Sequence, residues 1–328
     1  MSTFTLKIIA LISMITDHSA HVLYSVGVLK NYELYMLLRG IGRLAFPIYA
    51  FLLVKGFGYT GDKRKYLSRM MAFALISQVP YTLCFAEANY GGEAAFAVSF
   101  AYGWEALLLI IPLSLCLHYF GAGRFTLLTA AFLLLPGIRL SCGAVLLDGE
   151  MNVFYTLSAA LMLLFCADKM KAGQKREGRL CVAAVLPVLL VIQPHADYAI
   201  KGIVLIFALY ICEDRLWAQV LTVILWSLLQ YVYDTSWAVA AILAIPALIG
   251  VPALRKKGKL PQTVLVLVWG VICRMLTSFY LFVLPFFASM AVFALMYYNG
   301  KPGLRLKTAF YAAYPVHLII LFIISSFL

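Results

Sequence analysis

The run Met14–Leu23, MITDHSAHVL, sets a carboxylate and two imidazoles inside an otherwise apolar stretch. On a helix Asp17 and His21, four residues apart, share one face, whereas His18 lies about 100° round the axis from Asp17. The next apolar stretch, LLRGIGRLAFPIYAFLLVKGF, carries Arg39 and Arg43, also four apart. One face there presents two guanidinium groups. Gly40 and Gly42 remove side chains beside them and let another helix approach. A short link makes the two stretches neighbours, so Asp17 is expected to pair with Arg43 or Arg39. The simplest reading is a buried ion pair that fixes two helices. It leaves two arginines and two histidines opposite one carboxylate. A surplus of donors beside a titratable imidazole is what a site for an anionic intermediate needs.

The C-terminal run KTAFYAAYPVHLIILFII adds a third piece. His317 follows Pro315 by two residues, where a missing backbone donor and a ring clash loosen the helix. A lone histidine on an apolar face is by default a hydrogen-bonded core residue, and the same holds for the weaker candidates Glu105, Arg139 and Arg274, each able to snorkel or pair. His18 and His21, three apart with one carboxylate, fall short of a zinc-ligand pattern, and no metal is predicted.

The elements that must position these groups follow from composition. Of 328 residues, 64% are hydrophobic and 12% charged, against about 45–50% and about 25% in soluble domains. A soluble fold cannot hide that much apolar surface. The runs are continuously apolar rather than alternating, which excludes a β-barrel. A span needs about 20 apolar residues. Apolar segments lie at roughly 5–29, 35–58, 66–86, 95–119, 124–147, 151–167, 180–195, 198–212, 216–233, 236–253, 263–283, 284–299 and 308–328, with Pro285 marking a kink or turn. The expected fold class is all-α: one polytopic transmembrane helical bundle over 1–328 with about 10–13 spans. The first apolar run, with only Lys7 before Asp17 and His18, reads as a retained span rather than a cleaved signal peptide.

The net charge of +12 is spread over short clusters between apolar runs, which marks topology rather than nucleic-acid binding. Basic residues gather at Lys63–Arg64–Lys65 with Arg69, at 169–179, at Arg255–Lys257 with Lys259, and at Lys301, Arg305 and Lys307. The intervening loops hold Glu87, Glu93, Asp148, Glu150, Asp197 and Asp234. A cytoplasmic N-terminus places every basic cluster inside and each of these acidic loops outside. The seven cysteines (84, 116, 142, 166, 181, 212 and 273) form no CxxC pair and read as small buried hydrophobes. Walker, HExxH, GxSxG and EF-hand patterns are absent, which argues against an ATP-driven pump and the common soluble-enzyme chemistries.

In these blocks the chain resembles the TraX family of bacterial membrane proteins. The opening LKIIALISMITDH carries Asp17 and His18. GRLAFPIYAFLLVKGF and KRKYLSRMMAFALISQVPY carry Arg43, Phe46, Pro47, Gly56, Tyr66, Arg69, Ser77, Gln78 and Pro80. NVFYTLSAAL carries Asn152 and Thr156, and HADYAIKGIVLIF carries Asp197, Tyr198 and Gly202. YYNGKPGLRLKTAFYAAYPVHLIIL carries Asn299, Gly300, Tyr311, Tyr314, Pro315 and His317. The stretch Leu228–Pro285 departs from the pattern and reads as an added helical hairpin.

The resemblance implies a bacterial cytoplasmic-membrane protein of the type associated with pilin acetylation in conjugation, distantly similar to membrane acyltransferase 3-type proteins. It implies acetyl transfer from acetyl-CoA to a protein, glycan or lipid acceptor in or across the bilayer. Within that chemistry His18 is the preferred base, with Asp17 orienting it or balancing Arg43, because imidazole titrates near neutrality. Arg39 and Arg43 stabilise the developing negative charge. His317 is the alternative base. Lys63, Arg64, Lys65 and Arg69 are placed to hold the phosphates of coenzyme A, although topology alone also accounts for them. Two other classes fit the same residues: a transporter or flippase using Asp17 and the histidines as a proton relay, and a structural component of a conjugation or secretion assembly. A transporter built on inverted repeats should show internal symmetry, and the sequence shows none.

Overall fold

A computed structural model of the chain describes all residues except 86–96, 142–144, 148, 233–236, 255–257, 277–278 and 305. Expectations placed on Glu87, Glu93, Cys142, Asp148, Asp234, Arg255–Lys257 and Arg305, and on the side chains of Cys273 and Arg274, lie outside the described residues. The chain forms two compact units, each assembled from separate stretches of sequence.

The first unit comprises Met1–Lys55, Ala208–Ala313 and Phe327–Leu328. Helix α1 spans Thr3–Ser25, α2 Tyr32–Gly42, and α3 Ala45–Tyr59, which continues into the second unit. Ser2 caps α1 by accepting from the Thr5 amide, and Asn31 caps α2 by accepting from that of Leu34; such caps satisfy backbone donors that a helix end leaves open. Two further open donors of α1, the Thr3 and Phe4 amides, bond the carbonyls of Lys301 and Pro302 at 2.8 and 3.1 Å. Gly303 has φ +66°, and a Cβ there would lie 2.7 Å from that of Phe4, so this turn accepts no side chain.

The second unit comprises Gly56–Phe207 and Tyr314–Ser326. It holds α4 (Lys63–Phe85), α5 (Ile110–Phe120), α6 (Arg124–Leu134), α7 (Val153–Lys171), α8 (Lys175–Val191) and the start of α9 (Ala199–Ile211). The remaining helices are α10 (Leu216–Tyr231), α11 (Trp237–Ala253), α12 (Lys259–Leu276) and α13 (Phe279–Met296) in the first unit, with α14 (Lys307–Phe327) contributing to both. Pro285 lies inside α13 and Pro315 inside α14, so the boundary expected between segments 263–283 and 284–299 falls within α13. Helices buried among neighbours tolerate such prolines.

The helical bundle is as expected, with one addition. Segments 95–119 and 124–147, read as spans, contain a three-stranded antiparallel sheet of β1 (Ala97–Phe100), β2 (Ile138–Ser141) and β3 (Val145–Leu147). Phe100 pairs with Ile138 and Ala97 with Ser141. Strands this short, such as the Ile-Arg-Leu-Ser of β2, offer too brief an alternation to stand out from the apolar runs around them. Four helices among the described residues, Thr3–Ser25, the α2–α3 run Tyr32–Tyr59, Val153–Lys171 and Ala309–Phe327, are long and apolar enough to cross a bilayer; seven other apolar helices are shorter.

Candidate functional site

The i, i+4 spacing of Arg39 and Arg43 has a definite outcome. Both guanidinium groups converge on a single oxygen of Asp17: Arg39 Nη1 lies 2.9 Å and Arg43 Nη2 3.3 Å from Oδ1. The side chains of Asp17, Arg43 and Arg39 are 10, 13 and 23% exposed, so the cluster is largely withdrawn from solvent and carries one excess positive charge. Such a withdrawn cluster acts on a neighbouring anion more strongly than surface charges do.

The helices approach closely because glycines line the contact. A Cβ at Gly42 would fall 2.2 Å from that of Asp17, and one at Gly40 2.5 Å from Val283 and 2.8 Å from Phe287 of α13. Gly42 therefore makes room for the carboxylate itself. The apolar stretch 35–58, expected as one span, is broken between α2 and α3. Arg43 stands at that break: its amide donates to the Gly40 carbonyl at 2.9 Å and closes α2. Its guanidinium also lies 5.8 Å from the ring of Tyr231 on α10, a cation–π distance.

His21 lies within electrostatic reach of Arg39, Asp17 and Arg43, as its position on the Asp17 face demands. His18 is half-buried and belongs to neither ion pair. Tyr231 is the member of this cluster that sequence reasoning missed. It is 188 positions from Arg43, and only packing of α10 brings it there.

His317 belongs to the second unit. It is buried, with its ring 5.5 Å from that of Tyr314, whose ring in turn meets Phe154 at 5.1 Å. Nearby in the same unit, residues from separate blocks form one polar network. Asn152 Nδ2 donates to Gln78 Oε1 at 2.9 Å and to the Ala74 carbonyl at 2.8 Å. Gln78 Nε2 donates to the Glu150 carbonyl at 2.5 Å, and the Thr156 hydroxyl donates to the Asp197 carbonyl. Gln78, Asn152 and Thr156 are thereby explained as fasteners between α4, α7 and the turn before α9.

The four basic residues expected to act together are divided. Lys63 pairs with Asp168 at 2.5 Å and also lies 4.6 Å from the ring of Phe57. The Arg69 guanidinium sits 5.6 Å from the Tyr66 ring. Arg64 and Lys65 instead line a cavity of about 450 Å³ together with Arg124, Phe120, Phe125 and Asp62. The Arg64 guanidinium lies 5.5 and 6.0 Å from the two phenyl rings. Three cations against one carboxylate, beside two aromatic faces, suit a phosphate-bearing ligand with a planar ring. Arg124 and the phenyl pair were not singled out in the sequence, because the α5–α6 turn that supplies them is 55 or more positions from Arg64.

Residues 2–92 match the model of a family described as TraX protein. The resemblance carried by the opening blocks is borne out over this region, which holds Asp17, His18, Arg39, Arg43 and the 63–69 basic run. Over 81 residues the chain is 42% identical to the probable fimbrial assembly protein FimC, serogroup H1, of Dichelobacter nodosus; the alignment covers 25% of this chain and 32% of that protein. The chain thus aligns with about a third of the length of this curated relative. No solved structure matches.

Proposed function

From the TraX-family region 2–92 and the cluster built within it, we propose that the chain is a multi-pass acyltransferase of a bacterial cytoplasmic membrane. It moves an acetyl group from acetyl-CoA to a protein, glycan or lipid acceptor during assembly of a surface appendage. The observation that carries this reading is the convergence of Arg39 and Arg43 on one oxygen of Asp17, which leaves a withdrawn positive charge beside the histidines of α1. The relative's description as a probable fimbrial assembly protein supports the appendage context.

In the transfer, an imidazole takes the proton of the acceptor hydroxyl or amine as the acceptor attacks the thioester carbonyl. The charge that develops on the carbonyl oxygen is met by the guanidinium groups. The C–S bond then breaks, the coenzyme A thiolate leaves, and the imidazolium returns a proton to it. His18, beside Asp17 on α1, is the base of choice; His21 on the cluster face and His317 are the alternatives. Arg64, Lys65 and Arg124 hold the donor's phosphates. The positive-inside rule puts these three residues on the cytoplasmic side, where acetyl-CoA is found.

The test is incorporation of labelled acetyl from acetyl-CoA in membranes containing the protein, for wild type and for the His18→Ala, His21→Ala, His317→Ala and Arg43→Ala variants at matched expression. Label in protein, glycan or lipid that disappears in Arg43→Ala and in one histidine variant supports the reading and identifies the base. Label no higher than in empty membranes, with native acceptors present, overturns it. A second reading, a structural component of fimbrial or conjugative assembly, is favoured by the relative's description as a fimbrial assembly protein. Appendage assembly that survives all four substitutions would select it.

A further inference from the structure

A second cavity, of about 310 Å³, opens in the first unit where α9 turns into α10 and where α12 begins. Asp214, Arg215 and Trp217 line it from the turn, and Gly258, Lys259 and Gln262 from the start of α12. The turn is firmly built. Lys55 holds the Glu213 carboxylate at 3.0 Å, Gln219 Nε2 donates to the Glu213 carbonyl at 2.9 Å, and the Arg215 amide donates to that of Cys212 at 2.9 Å. Gly258, at φ +91°, leads into α12 with open space where a side chain would stand.

Three features point to a ligand. Among the described residues, none of Asp214, Arg215 and Lys259 takes part in an ion pair, so the cavity holds two cations and one carboxylate without mutual neutralisation. At the start of the 18-residue helix α12 the Lys259, Leu260 and Gln262 amides, Pro261 having none, add donors and the positive end of its dipole. Gln262 is 4% exposed, and among the described residues its buried Oε1 has no hydrogen-bond partner. A buried acceptor of this kind calls for a donor, since a desolvated acceptor left unpaired is unfavourable.

The surroundings identify the class. The cavity lies at the ends of apolar helices, and one turn along α12 the large side chains Val264, Leu267 and Val268 form an exposed stripe at i, i+3, i+4 spacing. A polar cavity above an apolar stripe matches an amphiphile. We propose that the cavity binds the headgroup of a membrane phospholipid, with Arg215, Lys259 and the α12 amides on its phosphodiester and with Asp214 and Gln262 Oε1 accepting from an ammonium or hydroxyl beyond it. Phosphatidylethanolamine and phosphatidylglycerol carry such a donor; phosphatidylcholine does not.

The experiment reconstitutes the full chain in nanodiscs of phosphatidylcholine alone or mixed with phosphatidylethanolamine or phosphatidylglycerol, and counts retained lipid by native mass spectrometry after release. Wild type should retain the two donor-bearing lipids about tenfold over phosphatidylcholine, the ratio that one well-made hydrogen bond of about 1.4 kcal/mol supplies. Gln262→Leu should bring the ratio close to one. Arg215→Gln with Lys259→Gln should abolish retention, and Arg215→Lys with Lys259→Arg should restore it, provided that thermal unfolding curves match. Equal retention of phosphatidylcholine and phosphatidylethanolamine by wild type, or full retention by the double glutamine variant, overturns the proposal. Displacement of the lipid by millimolar inorganic phosphate overturns its assignment to lipid and points to a soluble phosphate compound; resistance to displacement supports it.

Discussion

Asp17 occupies the space that a side chain at Gly42 would fill: a Cβ on Gly42 would lie 2.2 Å from the Asp17 Cβ and 2.7 Å from Oδ1, the oxygen that receives both arginines. Gly42→Ala must therefore move α1, move Asp17, or both. Overpacking of this kind costs about 1–3 kcal/mol, and displacing the carboxylate weakens two ion pairs at once. A thermal unfolding midpoint well below wild type is expected for the purified protein in detergent. A midpoint equal to wild type would show that α1 and α2 do not meet here.

Removing the carboxylate should cost more than removing either arginine. Asp17→Ala takes from two withdrawn guanidinium groups the carboxylate they share, and breaking a buried pair in this way costs about 3–5 kcal/mol. Arg39→Gln and Arg43→Gln each leave one pair intact. Arg39 is the more exposed of the two, so its loss is the mildest. The expected order of destabilisation is Asp17→Ala, then Arg43→Gln, then Arg39→Gln. Equal effects of all three would contradict a shared oxygen.

What the sequence made legible here was local. Four-residue spacing on two neighbouring apolar runs pointed to Asp17, Arg39 and Arg43, and the intervening glycines pointed to close packing. The break at Arg43 was not legible, since RLAF continues an apolar run without a Gly–Pro stop. In the basic run 63–69 the charges were visible but their partners were not. Asp168 neutralises Lys63 from 105 positions away, and Arg124 joins Arg64 from 60 positions away. Short strands such as Ile138–Ser141 were hidden for a related reason, because the brief alternation Ile-Arg-Leu-Ser at the end of a longer apolar run reads as the tail of that helix.

That division of the basic run makes a prediction about the proposed acyl donor. Arg64→Ala, Lys65→Gln and Arg124→Gln remove cations from the cavity and should each raise KM for acetyl-CoA, roughly three- to tenfold, the effect of losing one partly exposed charge-assisted contact of about 1 kcal/mol. Arg64→Lys should restore little, because a compact ammonium does not reproduce a planar guanidinium against the Phe120 and Phe125 rings. Lys63→Gln breaks a pair with Asp168 outside the cavity and should leave KM unchanged. Steady-state labelling at varied acetyl-CoA separates these outcomes. A KM effect from Lys63→Gln as large as that from Arg64→Ala would return the site to the undivided basic cluster.

Asn152 does two jobs, and substitutions can separate them. Its Oδ1 accepts from the Phe154 amide at 3.0 Å and caps α7, while its Nδ2 ties α7 to α4 through Gln78 Oε1 and the Ala74 carbonyl. Asn152→Ser keeps a capping oxygen and loses the tie. Asn152→Ala loses both, and the cap alone is worth about 1 kcal/mol. Asn152→Asp keeps the cap but sets a carboxylate against two fully buried acceptor oxygens, with no cation among the contacts of Asn152 to balance it, so it should be the most damaging of the three. The expected order of unfolding midpoints is wild type, Ser, Ala, Asp. An aspartate variant as stable as the serine variant would mean that the Nδ2 bonds do not hold α4 to α7, and that Asn152 serves α7 alone.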